Sequence, residues 1–287
     1  MSLLLFLLAA GYVEAFTPVL RSNDAAAGVR LAAAIFTQPE RVVPEVLPKI
    51  YVYDHCPFCV RVRLALGAKN VKHEVVFMGN DDVATPTAMV GKKIAPILED
   101  PASGTVMAES LDICDFFDKD EKYGPTALIA PATGRTDIKA WQKGLQTTMR
   151  MLTRPRYMTT CLPEFMQKDG KDAFVKNHQL PPHEKSDWKG DGSKFSLDEK
   201  WDMYVAALDK TEEYIPALNK ALAELEGMLY SEQHASEGGL SYDDIDLWAR
   251  LRSLSLIKGA VFPPKVKAYM EYWEKVGDVP LYFNMAV

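Results

Sequence analysis

Downstream of residue 48, the pattern of apolar and polar positions divides the chain into two parts. The first part contains segments with the pattern of strands and segments with the spacing of helices. Up to about residue 118, short runs rich in β-branched and aromatic residues alternate with segments of helical spacing. We predict strands at 49–53, 73–77, 97–99 and 105–107 and helices at 57–69, 85–91 and 110–118. The last two strands flank turn residues at 100–104 and form a hairpin. A strand–helix–strand unit followed by a hairpin predicts a mixed four-stranded sheet flanked by helices.

The second part keeps only helical spacing. Turn-forming residues at 122–126 and 130–134 predict a linker. Beyond it we predict helices at about 136–152, 162–176, 197–230, 242–257 and 264–275. The stretch 178–195 is rich in Pro, Gly, Lys and Asp, which predicts a surface loop and leaves its two histidines without a role.

The helix predicted at 242–257 has a recognisable capping signal at its N-terminus. Ile245, Trp248 and Leu251 recur every three residues and form an apolar stripe. Just before it, the Ser241 hydroxyl can accept a hydrogen bond from the Asp244 amide while the Asp244 carboxylate accepts one from the Ser241 amide. We assign Ser241 and Asp244 a structural role as a helix cap, because such boxes stabilise helices far more often than they catalyse reactions.

Residues 1–48 have the character of a targeting presequence and linker. The apolar run at residues 2–10 is too short to span a bilayer and is similar to the apolar core of a signal peptide. Phe16-Thr17-Pro18 and an Ala-rich, Arg-containing stretch follow, and this resembles the bipartite plastid presequence of algae with secondary plastids. Secretion and a mitochondrial presequence are the alternatives. We therefore expect a plastid protein whose mature form has an α/β domain at 49–123 and an all-helical domain at 136–287.

The length, composition and net charge indicate how many domains the chain forms and which molecules it can bind. The 287 residues suit two modest domains, and 48% hydrophobic residues suffice for a core. The net charge of −6 and the absence of a long basic stripe argue against nucleic acid. We expect no membrane association of the mature form and a monomer.

The four cysteines are too few for a disulfide framework, and only Cys56 and Cys59 stand at a motif spacing. A lone Cys-x-x-Cys in a large chain favours redox chemistry. His55 and His73 are near, but the further ligands of a structural zinc site are lacking, so we expect no metal.

The predicted strand-to-helix junction places Cys56 at a helix N-terminus, where free amides and the helix dipole stabilise a thiolate. Cys59 lies one turn further in, so it can attack a mixed disulfide on Cys56. Pro57 between them sits where its missing N–H costs nothing. The alternative is an inert buried pair or an incidental disulfide. Cys114 lies among apolar residues of a predicted helix and is assigned to the core.

Two further elements belong with these cysteines. Ala95–Pro96 opens a strand, and a cis bond there would expose the Ala95 backbone to an extended peptide, whereas a trans proline would only begin the strand. At the next helix start, Ser110 and free amides suit a carboxylate and Glu109 suits an ammonium group. The alternative is that Ser110 only caps its helix.

The motifs together resemble a known family. Residues 51–59, the run 80–93 (Asn-Asp-Asp-x-x-Thr-Pro-Thr-x-Met-Val-Gly-x-Lys), Pro96-Ile97-Leu98 and Glu109-Ser110 are similar to the bacterial glutaredoxin 2 type, and the likeness resumes at 240–252. This resemblance implies a thioredoxin-like N-terminal domain, an all-helical C-terminal domain and a glutathione-transferase-like architecture.

The resemblance also implies roles for single residues. Cys56 is the nucleophile and Cys59 the resolving cysteine, and Pro96 is cis. The implied glutathione-binding residues are Pro57, Phe58, Ala95, Pro96, Glu109 and Ser110. Phe58 stands where the family usually has Tyr, and Ala95 where it has Val; the Ala95 contact is expected through the backbone.

The leading hypothesis is therefore a glutathione-dependent thiol–disulfide oxidoreductase that reduces glutathionylated or disulfide-bonded proteins. Its co-substrate is glutathione, and a glutathione reductase system would recycle it indirectly. One alternative is a glutathione transferase or dehydroascorbate reductase that uses Cys56 alone. Another is a non-catalytic glutathione or iron–sulfur binding module.

Overall fold

The computed structural model describes residues 35–287. Most of the proposed presequence, residues 1–34, lies outside this part of the chain. The end of the predicted linker packs on the folded body: Phe36 stacks at a tilt on Trp273 with ring centroids 5.3 Å apart, and Val42 forms a parallel bridge with Val71. Within residues 35–287, none of the helices combines the length and apolarity that crossing a bilayer requires.

The N-terminal part is a four-stranded mixed sheet with three helices, as predicted. Its elements in chain order are β1 (Lys49–Val52), α1 (Pro57–Ala68), β2 (Glu74–Phe77), α2 (Ala84–Val90), β3 (Ile97–Asp100), β4 (Thr105–Ala108) and α3 (Ser110–Lys119). The strand order is β2-β1-β3-β4, with β1 parallel to β2 and antiparallel to β3. The β3–β4 hairpin is antiparallel. This is the thioredoxin-like arrangement.

The start of α2 differs from the sequence prediction. The helix begins at Ala84, before the Thr85-Pro86 pair that we expected to open it. The reason is that the Asp82 carboxylate accepts a hydrogen bond from the Thr85 amide at 2.9 Å and so caps the first turn from outside. Gly91 ends the helix with φ +76°, a conformation that favours glycine.

The C-terminal part is all helical. Its elements are α4 (Thr136–Thr159), α5 (Lys168–Asn177), α6 (Lys185–Trp188), α7 (Leu197–Asp209), α8 (Thr211–Met228), α9 (Tyr242–Leu254) and α10 (Pro264–Gly277). The single helix predicted at 197–230 is two helices that break at Lys210. The first predicted helix is longer than expected and continues through Pro155, because its last turns carry buried residues such as Tyr157 and Met158 into a second apolar cluster.

The surface loop predicted at 178–195 is only partly a surface feature. It contains the short helix α6, and the Trp188 side chain is fully buried. The Trp188 indole donates a hydrogen bond to the Val175 carbonyl at 2.8 Å, and Leu180 is buried beside it in the same cluster. Burial of the large indole outweighs the polar composition of its neighbours.

The cap of α9 is a capping box of Ser241 and Asp244, in which the Ser241 hydroxyl also reaches the Asp243 amide that was not predicted to take part. The Ser241 hydroxyl accepts from the Asp243 amide at 3.3 Å, and the Asp244 carboxylate accepts from the Ser241 amide at 3.0 Å. Asp244 also accepts from the Ala235 amide and the Tyr269 hydroxyl. The two residues therefore lie in a buried network that anchors the start of α9.

Helix α1 joins the two parts, since it packs against α3 on one side and against α9 and α10 on the other. At the contact with α10, a Cβ atom on Gly67 would lie 2.1 Å from the Gly277 carbonyl oxygen. The two backbones can approach this closely because Gly67 has no Cβ, and the missing Cβ of Gly277 leaves room for the Leu64 side chain of α1, which would otherwise lie 2.6 Å away. The close contact fixes the position of α1, and with it the cysteine pair at its start.

Candidate active site

The Cys-x-x-Cys pair lies at the junction of β1 and α1. Cys56 is the residue before the helix, with extended backbone (φ −74°), and Pro57 occupies the first helical position. Cys56 is half-buried, whereas Cys59 is fully buried and its sulfur accepts a hydrogen bond from the Tyr53 amide at 3.4 Å. A reagent can therefore reach Cys56 first.

The surroundings of the two sulfurs lower the pKa of Cys56 and raise the pKa of Cys59. The Cys59 thiol donates a hydrogen bond to the Cys56 sulfur and thereby lowers the pKa of Cys56. Burial of Cys56 acts in the opposite direction. The charge of His55 and the amides of Cys59 and Phe58 lower the pKa of Cys56 further. Burial raises the pKa of Cys59, and the hydrogen bond to Cys56 adds to this rise. The pKa of the accessible Cys56 sulfur is therefore the lower of the two, so Cys56 ionises before Cys59 as pH rises.

We expect the rate of Cys56 alkylation by iodoacetamide to rise with pH around a midpoint well below the value of about 8.5 for free cysteine. Because the pKa is lowered, the thiolate is present at pH 7 and is lost only as pH falls through that midpoint. A Cys59→Ala variant removes the side-chain donor to Cys56 and should shift the midpoint upward. A midpoint at or above that of free cysteine would contradict this assignment.

A buried carboxylate from the helical domain holds the turn before Cys56. Glu164, in a short 3-10 turn at Pro163–Phe165, is 1% exposed and accepts hydrogen bonds from the Asp54 and His55 amides at 3.0 and 2.9 Å. The same carboxylate lies 2.5 Å from the His55 imidazole Nδ1. Burial alone would raise the pKa of Glu164, but its bonds to His55 lower it. Glu164 was not among the predicted site residues, since it lies 109 positions from His55 and no local pattern connects the two.

A second buried ion network lies under the same turn. The Asp54 carboxylate contacts Arg63 at 2.5 Å and Arg252 at 3.1 Å, and it accepts a hydrogen bond from the Tyr282 hydroxyl at 2.7 Å. Arg252 also donates to the Asp54 carbonyl at 2.6 Å. Burial raises the pKa of Asp54, yet the two guanidinium groups outweigh it and lower the pKa to about 2. Arg252 was not among the predicted site residues; its place next to the apolar stripe of α9 was the available signal.

The residues predicted to bind glutathione lie in two neighbouring groups. Cys56, Pro57, Phe58 and Ala95 line one cleft, and the Ala95–Pro96 peptide bond is cis. Glu109 precedes α3 with φ +75°, which is uncommon for a residue other than glycine.

Arg61 on α1 connects these two groups. Its guanidinium lies 4.7 Å from the centre of the Phe58 ring and donates to the Ser110 hydroxyl at 3.4 Å. It also pairs with Asp246 of the helical domain. Arg61 is a further residue that sequence analysis did not assign to the site.

The cleft has a volume of about 690 Å³ and lies between the thioredoxin-like part and helices α4, α5 and α9. This volume is typical of a ligand site. In the part of the chain from residue 35 to the end, no group of three or more His, Cys, Asp or Glu side chains is arranged to hold a metal ion.

The fold and this cysteine pair define the class of protein: a thioredoxin-like redox domain joined to an all-helical domain in a glutathione-transferase-like architecture. Two family models match. The model for the glutathione S-transferase N-terminal domain covers residues 50–125, and the model for the glutaredoxin 2 C-terminal domain covers residues 198–286.

Relatives define the family more closely. Glutaredoxin 2 of Escherichia coli (strain K12) is 31% identical over 242 residues, which cover 83% of this chain and 100% of the relative. The crystal structure of glutaredoxin 2 from Salmonella typhimurium in complex with glutathione is similar with a TM-score of 0.69, at 29% identity, over 84% of this chain and 99% of that chain. A glutathione S-transferase from Rhodospirillum rubrum shares the fold with a TM-score of 0.50, at 16% identity over 83% of this chain and 91% of that chain. The chain belongs to the glutaredoxin 2 family and is a glutaredoxin-type glutathione oxidoreductase.

Proposed function

We propose that this enzyme reduces mixed disulfides between proteins and glutathione, and also protein disulfides, with Cys56 as nucleophile and Cys59 as resolving cysteine. The observation that carries the proposal is the asymmetry of the pair. Cys56 is accessible with a lowered pKa, and Cys59 is buried with a raised one.

In the first step the Cys56 thiolate attacks the glutathione sulfur of the mixed disulfide. The new Cys56–glutathione bond forms as the old disulfide breaks, and the protein thiolate leaves and takes up a proton. A second glutathione thiolate then attacks the glutathione sulfur on Cys56 and releases glutathione disulfide. The mixed disulfide and one glutathione thiol are thereby converted into a protein thiol and one glutathione disulfide, so electrons balance.

With a protein disulfide, Cys56 forms a bond to one protein sulfur and releases the other as a thiol. Cys59 then attacks the Cys56 sulfur and releases the second protein thiol, which leaves a Cys56–Cys59 disulfide for glutathione to reduce. Cys59 must lose its proton for this attack, and the neighbouring Cys56 ceases to be a thiolate once it is in the mixed disulfide. The rise in the pKa of Cys59 that is due to Cys56 is thereby removed.

For glutathione itself, we propose that Pro57, Phe58, Ala95 and Pro96 hold the cysteinyl part through the cis-proline segment. The amide region of Ser110 would hold the γ-glutamyl carboxylate, and Glu109 would hold its ammonium group. The glutathione complex of the Salmonella relative supports glutathione as the ligand. The exposed Lys92–Glu109 pair, at 3.3 Å, is weak enough for a ligand to displace.

The test is a Cys59→Ser variant assayed on two substrates. We expect it to retain turnover of the glutathione–2-mercaptoethanol mixed disulfide, whose reduction needs Cys56 alone. Reduction of a protein disulfide should fall by at least about tenfold, because no resolving thiol remains. Equal activity of the variant and the wild type on the protein disulfide would favour a transferase or dehydroascorbate reductase instead.

A further inference from the structure

The cleft beside Cys56 is positively charged on the side of the helical domain. Arg150 and Arg154 stand one turn apart on α4, Arg250 lies on α9, and Lys189 follows α6. Lys93 lines the cleft from the thioredoxin-like side. The described residues that line it include no aspartate or glutamate, although the whole chain carries a net charge of −6.

Part of this charge is free to bind a ligand. Among residues 35–287, no carboxylate forms an ion pair with Arg150, Arg154 or Lys189. Burial lowers the pKa of Arg154, and the nearby charge of Arg150 contributes to this. Two guanidinium groups that repel each other and lack a counter-charge are stabilised by an anion between them.

A neutral donor completes the lining. Tyr53 is 9% exposed and lines the same cleft, and its hydroxyl has no hydrogen-bond partner in the described part of the chain. Burial raises the pKa of Tyr53, so the hydroxyl remains a donor at neutral pH. A buried donor without a partner is costly, and an acceptor oxygen on a ligand would remove that cost.

We propose that this basic cleft binds the carboxylates of the polypeptide half of the substrate, so that the enzyme prefers glutathionylated segments with acidic residues beside the modified cysteine. The inference rests on the proposed function. The predicted glutathione site, at Ala95 and Ser110, is on the thioredoxin-like side of Cys56. The other half of a disulfide at Cys56 therefore extends toward α4, where Arg150 and Arg154 lie.

The arrangement favours a peptide segment with more than one carboxylate. On the side of the helical domain, the cationic groups without a carboxylate partner come from α4 and from Lys189 after α6, whereas Arg250 pairs with Asp246 at 3.3 Å. The cleft volume of about 690 Å³ can hold a few residues. Arginine pairs with carboxylates through two parallel hydrogen bonds, which adds geometric selectivity to the attraction. A positive electrostatic potential in the cleft also raises the association rate of a negatively charged partner, and added salt reduces this increase.

The experiment compares two glutathionylated peptides of equal length, one with glutamates and one with lysines on both sides of the modified cysteine. At low ionic strength we expect wild-type kcat/KM to be about tenfold higher for the acidic peptide, and salt should reduce the difference.

Arg150→Glu should lower kcat/KM for the acidic peptide by about tenfold and raise it for the basic one. Lys143→Glu, an exposed change on α4 away from the cleft, is the matched control and should keep the wild-type preference. Lys189→Glu, at an exposed position of the cleft, gives a second test if Arg150→Glu is unstable.

The mixed disulfide of glutathione and 2-mercaptoethanol, in which the half that replaces the peptide is uncharged, distinguishes failure of the inference from failure of the proposed function. If the wild type reduces it but treats both peptides alike, the basic cleft does not select the peptide, and the inference is wrong. A change confined to the KM for glutathione in Arg150→Glu would assign the cleft to the reducing glutathione and also overturn the inference. Failure of the wild type to reduce even this small substrate would instead overturn the proposed function.

Discussion

Replacement of Cys56 by serine is expected to lower kcat/KM for glutathione mixed disulfides by at least about a thousandfold. A serine hydroxyl is not ionised at neutral pH, so the amides at the start of α1 have no thiolate to stabilise. The side chains differ by one atom, and the helix start with Pro57 is unchanged, so the fold should be retained. Initial rates with the glutathione–2-mercaptoethanol disulfide, coupled to glutathione reductase and NADPH, measure the effect.

Cys161→Ser is the matched control for this change. Cys161 is exposed and lies just after α4, and it does not line the cleft. The control should retain wild-type rates and a wild-type melting temperature. If Cys56→Ser kept more than a tenth of the wild-type rate while Cys161→Ser lost activity, the nucleophile would have been assigned to the wrong sulfur.

Replacement of Asp54 by alanine is expected to lower the free energy of unfolding by about 3–5 kcal/mol. The change leaves Arg63 and Arg252 buried, at 7% and 2% exposure, without their shared carboxylate. Removal of one partner from a buried ion network costs far more than the loss of a surface pair, because the remaining charges have lost their solvent and their counter-charge. Urea unfolding followed by tryptophan fluorescence measures the difference.

The pH dependence gives an independent check on Asp54. Its pKa in the folded protein is lowered to about 2, against about 3.9 in an unfolded chain. Its contribution to stability is therefore complete above pH 4 and is lost as pH falls toward 2, so wild type and Asp54→Ala should converge in that range. Glu271→Ala is the control, since it breaks an exposed Lys267–Glu271 pair at 3.4 Å and should cost only about 0.3–0.5 kcal/mol. Equal losses in the two variants would mean that the Asp54 network is not a buried ion network.

The sequence predicted the elements whose signals are local. Pro57 next to Cys56, the β-branched run of β1 and the Ser241–Asp244 box each act within a few residues, so their effect on the backbone can be inferred without the fold. Errors arose where a distant contact outweighed the local pattern. Composition indicated a loop around Trp188, but the tertiary core buries its indole.

The helix boundaries also show that distant contacts can outweigh local sequence signals. The predicted helix at 197–230 breaks at Lys210, where nothing in the apolar spacing marks an end. The Thr211 hydroxyl, which donates to the Leu208 carbonyl at 2.6 Å, also accepts from Arg156 of α4. A contact from a helix 55 positions away therefore helps to set the break, and hydrophobic periodicity does not report it.

The sequence by itself determined the thioredoxin-like order, the helical second part and the position of the cysteine pair at a helix start, because strand, turn and cap propensities act locally. Only the tertiary structure decided what surrounds that pair. Glu164 and Arg252 reach the active-site turn from positions 109 and 198 residues away, and Arg150 and Arg154 face it from α4. Contacts of this kind depend on how helices pack across α1, where Gly67 and Gly277 allow close approach. That packing is a property of the whole core, and no short stretch of sequence specifies it.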